Sequence, residues 1–232
     1  MASASWRLGA LQPDHGHGNS DSMDSIVVLI SVFAVFIPAL ILPGPDFVAV
    51  VRSSMSHGTR AGLLTTLGVS IGLCMYSTLS LLGLSAILAE YQLLTWTVRV
   101  LGGCYLAYLG TKLLRAKPQT IDLDHEPTRP AGTRAILFGF LVTLTNPKAI
   151  VLFASVFATA VTASTPTWLM VLMIGLVTAS SLVWYSCVSL FMSSGPVMRR
   201  FQRARHWIER AAGVCFIGLG GKVLADAGRP IS

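Results

Sequence analysis

Residues 25–45 read Ser25-Ile26-Val27-Val28-Leu29-Ile30-Ser31-Val32-Phe33-Ala34-Val35-Phe36-Ile37-Pro38-Ala39-Leu40-Ile41-Leu42-Pro43-Gly44-Pro45, and the next residue, Asp46, is the first charge after Asp24. A helix crosses bilayer hydrocarbon with about 20 residues, so this run is long enough for one crossing. Two more stretches lack charge, from Arg60 to Glu90 and from Lys148 to Arg199. The last holds parts of two crossings, separated by the polar break Thr162-Ala163-Ser164-Thr165-Pro166. Over all 232 residues, 53% are hydrophobic and 12% charged. A soluble domain carries about 25% charged residues, so the surface that would solvate this chain in water is missing. Disorder and an ordinary water-soluble enzyme are both excluded, and the chain reads as an all-α polytopic membrane protein. Six transmembrane helices are expected at about 25–51, 62–88, 94–114, 135–158, 168–192 and 207–225. The sixth begins on Glu209 and Arg210 and has an interfacial helix as its alternative.

The net charge of +7 is distributed by topology. Arg52 and Arg60, then Lys112, Arg115, Lys117, Arg129 and Arg134, then Arg199, Arg200, Arg203 and Arg205 follow spans one, three and five, which is eleven of the seventeen Lys and Arg. Basic loops stay in the cytoplasm, so both termini are expected outside it. The excess is a topology signal and points to no nucleic acid, although the Arg199–Arg205 cluster could meet anionic lipid.

Residues 1–22 lack the apolar core of a signal peptide and read as a disordered tail, with Met23 an alternative start just before the first span. Residues 116–133 hold Asp122, Asp124 and Glu126 among Pro118, Pro127 and Pro130, a solvated cytoplasmic linker. It separates two three-helix repeats, 23–115 and 134–232. Spans three and six align at an offset of 111, where Arg99 meets Arg210, Gly102 meets Gly213, Cys104 meets Cys215, Tyr105 meets Phe216 and Gly110 meets Gly221. Spans one and four each carry a proline break followed by a charge. An odd number of spans per half makes the repeat inverted, an architecture of many secondary transporters.

Proline removes an N–H and clashes with the carbonyl four residues back. Pro38 is therefore expected to free the carbonyl of Ala34, Pro43 and Pro45 those of Ala39 and Ile41, and Pro147 that of Thr143. In hydrocarbon such groups must be buried in protein or line a wet cavity. Paired broken helices point to a transport site, here Pro43, Gly44, Pro45 and Asp46 with Thr143, Asn146, Pro147 and Lys148. Asp46 and Lys148 are the two charges well inside spans, each with an insertion cost of about 2.5–3.5 kcal/mol that demands a cavity or a partner. Asp46 sits at the N-terminus of the resumed helix. It either carries a coupling proton, or pairs with Lys148, or binds the ammonium of a zwitterion whose carboxylate goes to Lys148. Asn146, Thr143 and Thr145 serve a substrate or the freed backbone. Tyr76, Tyr105 and Tyr108 line the pathway or pack and anchor. Gly68 and Gly72 form a small-residue packing pattern.

The four cysteines, at 74, 104, 187 and 215, form no CxxC, and no motif calls for a metal or a cofactor. There is no phosphate-binding GxxxxGK[ST] loop and no catalytic set within the spans, so energy must come from an ion gradient or the substrate's own.

Pro43-Gly44-Pro45-Asp46-Phe47 with His57-Gly58-Thr59-Arg60-Ala61-Gly62 resembles the first-helix motif of the LysE/RhtB family of amino-acid exporters. Leu101-Gly102-Gly103-Cys104-Tyr105-Leu106-Ala107-Tyr108-Leu109-Gly110-Thr111-Lys112-Leu113-Leu114 is similar to that family's third helix, and Asn146-Pro147-Lys148-Ala149 to its fourth. The similarity runs from about residue 24 to 225; the N-terminal tail departs from it. The resemblance implies a six-helix protein of the bacterial inner membrane that exports amino acids or small derivatives in exchange for protons. Family binding residues carry over at Pro43, Gly44, Pro45, Asp46, Asn146, Pro147 and Lys148. Two other readings are an exporter of heavy-metal or thiol compounds, resting on Cys104 and Cys215, and a non-transporting membrane assembly subunit. Small-residue helix faces permit a homodimer without requiring one.

Overall fold

In the computed structural model, residues 17–84, 90–115, 132–157, 165–192 and 195–227 are described, and all regular structure among them is helical. Residues 1–16 of the expected tail, 116–131 of the linker and Thr162-Ala163-Ser164 of the polar break lie outside the described residues.

Helix α1 (His17–Ile41) starts inside the stretch expected to be tail. Once a helix is nucleated each further residue adds a hydrogen bond, and no proline stands between His17 and Ser25 to stop it. Pro38 is accommodated within α1, and its carbonyl takes the Leu42 N–H at 3.0 Å. The helix ends where Pro43 and Pro45 follow in quick succession. Helix α2 (Pro45–His57) resumes with proline at its first position, where a missing N–H costs nothing. The two axes meet at 42°.

Gly58, at φ +81°, turns the chain straight into α3 (Thr59–Thr78), a backbone angle that glycine alone adopts without a Cβ penalty. A π-helical segment, Leu79–Leu84, extends α3. Helix α4 is Gln92–Leu114. Helix α5 (Thr133–Leu144) breaks before α6 (Pro147–Leu152), which runs on as a π turn through Phe157, and the bend is 54°. Helix α7 (Thr167–Cys187) continues as π helix over Val188–Met192. Helix α8 (Gly195–Ala227) has 33 residues, which at 1.5 Å each is about 50 Å and exceeds the hydrocarbon core.

Among the described residues, two helices are long and apolar enough to cross a membrane, and four if each bent pair is one span. The two are α3 and α7 with their π extensions. Helices α4 and α8 hold charge instead: Arg99 and Lys112 in α4; Glu209, Arg210 and Lys222 in α8. Glu209 is buried and takes the Arg205 Nε–H at 2.7 Å one turn earlier, while Arg210 lies 5.7 Å over the exposed Trp207 ring. Outward, α7 shows Trp168, Val171, Leu172, Leu176 and Val183, an apolar surface suited to lipid and not to water.

Glycine sets two of the closest helix contacts. A Cβ on Gly68 of α3 would run into the Ile136 carbonyl of α5, and one on Gly139 of α5 into the Thr65 carbonyl of α3. On the other side α4 and α8 run antiparallel. There a Cβ on Gly110 would lie 2.7 Å from the Gly213 carbonyl, and one on Gly220 would lie 2.8 Å from the Gly103 carbonyl. Small residues let backbones approach this closely where lipid offers no hydrophobic drive between helices. Phe36, Phe47, Phe153 and Phe216 fill the centre, fully buried.

Candidate functional site

The two proline breaks face each other. Asp46, the second residue of α2, is 6% exposed and points its carboxylate across to the second break. Its Oδ1 lies 3.0 Å from Thr143 Oγ1, and its Oδ2 accepts from Asn146 Nδ2 at 2.9 Å. Asn146 is also the N-cap of α6, its Oδ1 accepting the Lys148 N–H at 3.1 Å. One amide therefore closes the start of α6 and holds the carboxylate of α2. Position near a helix N-terminus further favours a negative charge at Asp46.

Lys148 shares the site without a direct salt bridge to Asp46. Its Nζ donates to the Leu42 carbonyl at 3.1 Å, a group that the first break leaves without a helical partner. Leu42 O thus stands open at the first break next to Ile41, one of the positions expected from proline alone. Thr143 O is taken by the Asn146 N–H at 3.1 Å in a tight turn, and the neighbouring Leu144 O by Tyr76 Oη at 2.7 Å. Tyr76 is a backbone partner for the break, with its ring stacked on Phe153. Thr145 is exposed and bonds back to Leu141 O at 2.9 Å. Tyr105 and Tyr108 pair with each other on α4, ring centroids 6.1 Å apart.

A small cavity of about 20 Å³ opens beside these groups, lined by Asp46, Asn146, Lys148 and Tyr185 among the apolar Phe36, Ala39, Leu40, Leu73, Ala149 and Leu152. That is room for one water. Pro43, Gly44, Pro45 and Pro147 shape the breaks; Thr143 acts through Asp46. Cys104 and Cys215 are exposed and do not line the cavity. Tyr185 escaped the sequence reading because every residue around it is apolar or small. In the structure it ends the buried stripe of α7, Leu169, Met173, Val177, Ser181 and Tyr185 at four-residue spacing, which the equally apolar outer face conceals in the sequence. On the side of the α2–α3 turn, Phe47 next to Asp46 stacks on Phe201 of α8 at 5.1 Å, and Trp184 leans on the same ring at 6.4 Å.

A helical chain with a buried carboxylate and a half-buried lysine at paired helix breaks has the features expected of a membrane transporter. The model of the LysE type translocator matches residues 37–227, and the chain belongs to that family. The threonine efflux protein of Escherichia coli K12 is 31% identical over 198 residues, covering 84% of this chain and 96% of that one. The threonine efflux protein of Salmonella typhi is 31% identical over 199 residues, with the same two shares. An uncharacterized membrane protein of Haemophilus influenzae is 29% identical over 83% of this chain and 94% of its own. No solved structure matches. Family and relatives support a membrane-located amino-acid exporter.

Proposed function

We propose that the chain is a secondary active transporter, not an enzyme, that exports amino acids across the bacterial inner membrane in exchange for protons. The observation that carries the reading is the buried Asp46 carboxylate, held by Thr143 and Asn146 from the other half of the chain in a cavity shared with Lys148. One acid and one base suit a zwitterion, with its ammonium on Asp46 and its carboxylate on Lys148. A proton on Asp46 removes the charge that the ammonium needs, so proton and substrate exclude each other, which is the requirement for antiport.

Thr143 serves both states. Its hydroxyl donates to an ionised Asp46, or turns to the Gly139 carbonyl at 3.1 Å and accepts from a protonated one. Neither state leaves a buried polar group unpaired. A 20 Å³ cavity is far too small for an amino acid, so the breaks must part to admit it. Threonine is the first substrate to try, since the named relatives are threonine efflux proteins.

Six spans in two inverted halves, with both termini outside the cytoplasm, complete the proposal. Three features support it: matched breaks bent at 42° and 54°, the antiparallel pairing of α4 with α8, and Ser70 bonded at 3.2 Å to Ser181, its counterpart at the offset of 111. The test is efflux of labelled threonine and other amino acids from proteoliposomes with and without a pH gradient, alongside Asp46→Asn. Gradient-driven efflux lost in Asp46→Asn is the expected result; efflux in that variant still driven by pH overturns the mechanism.

A further inference from the structure

Between the α2–α3 turn and Asp46 the core is not apolar. Helices α2 and α3 run antiparallel from Gly58, and α3 and α7 are antiparallel too. Buried hydroxyls meet where these three pack. Nearest the turn, Ser54 Oγ lies 3.0 Å from Ser189 Oγ, and Ser189 Oγ donates to Thr59 O at 3.2 Å. One turn further in, Thr65 Oγ1 donates to Ser53 Oγ at 2.9 Å. Thr66 follows, and a turn beyond it Ser181 Oγ donates to Ser70 Oγ at 3.2 Å. Ser70 lies two residues before Gly72, against which Thr143 packs, and Thr143 bonds Asp46. The seven side-chain hydroxyls, on Ser53, Ser54, Thr65, Thr66, Ser70, Ser181 and Ser189, all belong to residues 5% exposed or less.

Small hydroxyl residues are common at helix contacts, where they find partners on their own helix or across it. Two buried groups here find none. Thr66 Oγ1 is fully buried in a residue 1% exposed and has no hydrogen-bond partner. His57 Nδ1, at the turn end beside Ser54, is likewise buried and unpartnered. Orphaned buried polar atoms signal water, which satisfies such groups in folded proteins.

We propose that this hydroxyl ladder is a water-holding proton track that links the α2–α3 turn, with His57 at its mouth, to Asp46. It rests on the proton-antiport reading above. From the level of Gly62 to that of Ser70 the ladder covers about 12 Å of α3, its rungs recur at about one-turn intervals of 5.4 Å along the axis, and in the proposal one water stands between each rung and the next. A proton leaves an Asp46 oxygen for the nearest water. Each water or hydroxyl then accepts one proton on an oxygen lone pair and releases its own to the next, so one proton emerges at the turn and Asp46 is left ionised. On this side Phe47, Phe201 and Trp184 pack ring on ring, a group that a substrate would have to part and a proton on the ladder would not. The other polar groups around Asp46 are engaged elsewhere or lie off the ladder: Lys148 on Leu42 O, Tyr76 on Leu144 O, Asn146 on the α6 start, and Tyr185 at the cavity wall.

The decisive variant is Thr66→Val, which keeps the side chain's shape and removes a hydroxyl that no protein group uses. Proteoliposomes carrying a pH-sensitive dye and labelled threonine report proton movement and substrate exchange separately. The expected result is loss of threonine-linked proton movement in Thr66→Val, with threonine counterflow kept and Thr66→Ser restoring the proton signal. Ser70→Ala with Ser181→Ala should behave as Thr66→Val does. Unchanged proton movement in Thr66→Val overturns the track and leaves the antiport reading standing. Wild-type protein that exchanges threonine without moving protons overturns both.

Discussion

Asn146 and Asp46 are one hundred residues apart and hydrogen-bond at 2.9 Å, Nδ2 to Oδ2, while the other end of the same amide caps α6 at 3.1 Å. The pair ties the two helix breaks together, so a change at one is felt at the other. Asn146→Ala removes a cap and leaves a buried carboxylate oxygen unmatched. It should cost about 1–3 kcal/mol, read as a lower thermal midpoint of the purified protein. Asn146→Asp sets two carboxylates face to face and should be worse.

The proposed competition at Asp46 sets a direction for pH. Only the ionised carboxylate attracts the substrate's ammonium, so raising the pH removes the competitor and strengthens binding. The apparent KM for substrate on the side where it loads should fall as pH rises and level off once Asp46 is ionised. In Asp46→Asn the pH dependence should be flat, measured by counterflow at equal pH on both sides.

Lys148 holds the Leu42 carbonyl and, in the proposed mechanism, the substrate carboxylate, and one substitution tests both roles. Lys148→Met keeps the aliphatic stem but leaves the Leu42 carbonyl open and removes the partner of a substrate carboxylate. A lost hydrogen bond to a charged group costs about 1.5–3 kcal/mol, so substrate affinity should drop about ten- to a hundredfold. A drop in thermal midpoint with affinity retained would assign Lys148 to the backbone alone.

The glycines divide into two kinds. A Cβ at Gly139 meets the Thr65 backbone, which cannot move aside, so Gly139→Ala should push α3 from α5 and sharply reduce folded protein in detergent. Gly175 on α7 has nothing within 4 Å, and Gly175→Ala should stabilise by up to about 1 kcal/mol through helix propensity. Size-exclusion profiles after a heating series separate the two.

Much of the site was legible because proline and charge are loud in an apolar chain. Pro45 and Pro147 mark where α2 and α6 begin, and Asp46, Thr143, Asn146 and Lys148 converge there. What stayed hidden depends on rotation and on turns. Tyr185 faces the cavity through the register of α7, and in a helix apolar all round no periodicity reveals which side is inside. Leu42 O and Leu144 O were not foreseen as side-chain acceptors because the chain leaves each helix by a turn whose shape proline does not dictate. The full extent of α8 was veiled by Glu209, whose charge Arg205 answers within the same helix.

The glycine contacts also decide what can move. Where α3 meets α5 at Gly68 and Gly139, and α4 meets α8 at Gly103, Gly110, Gly213 and Gly220, backbone rests on backbone with no side chain between to slide or re-rotate. Each pair is a stiff stave. Compliance is left to the short joints at residues 42–44 and 145–146, already out of helix and held by single hydrogen bonds from Lys148, Tyr76 and Asn146. Under the proposed export cycle motion falls to these joints, where each stroke exchanges individual hydrogen bonds, and the speed of export then follows how readily those few bonds let go.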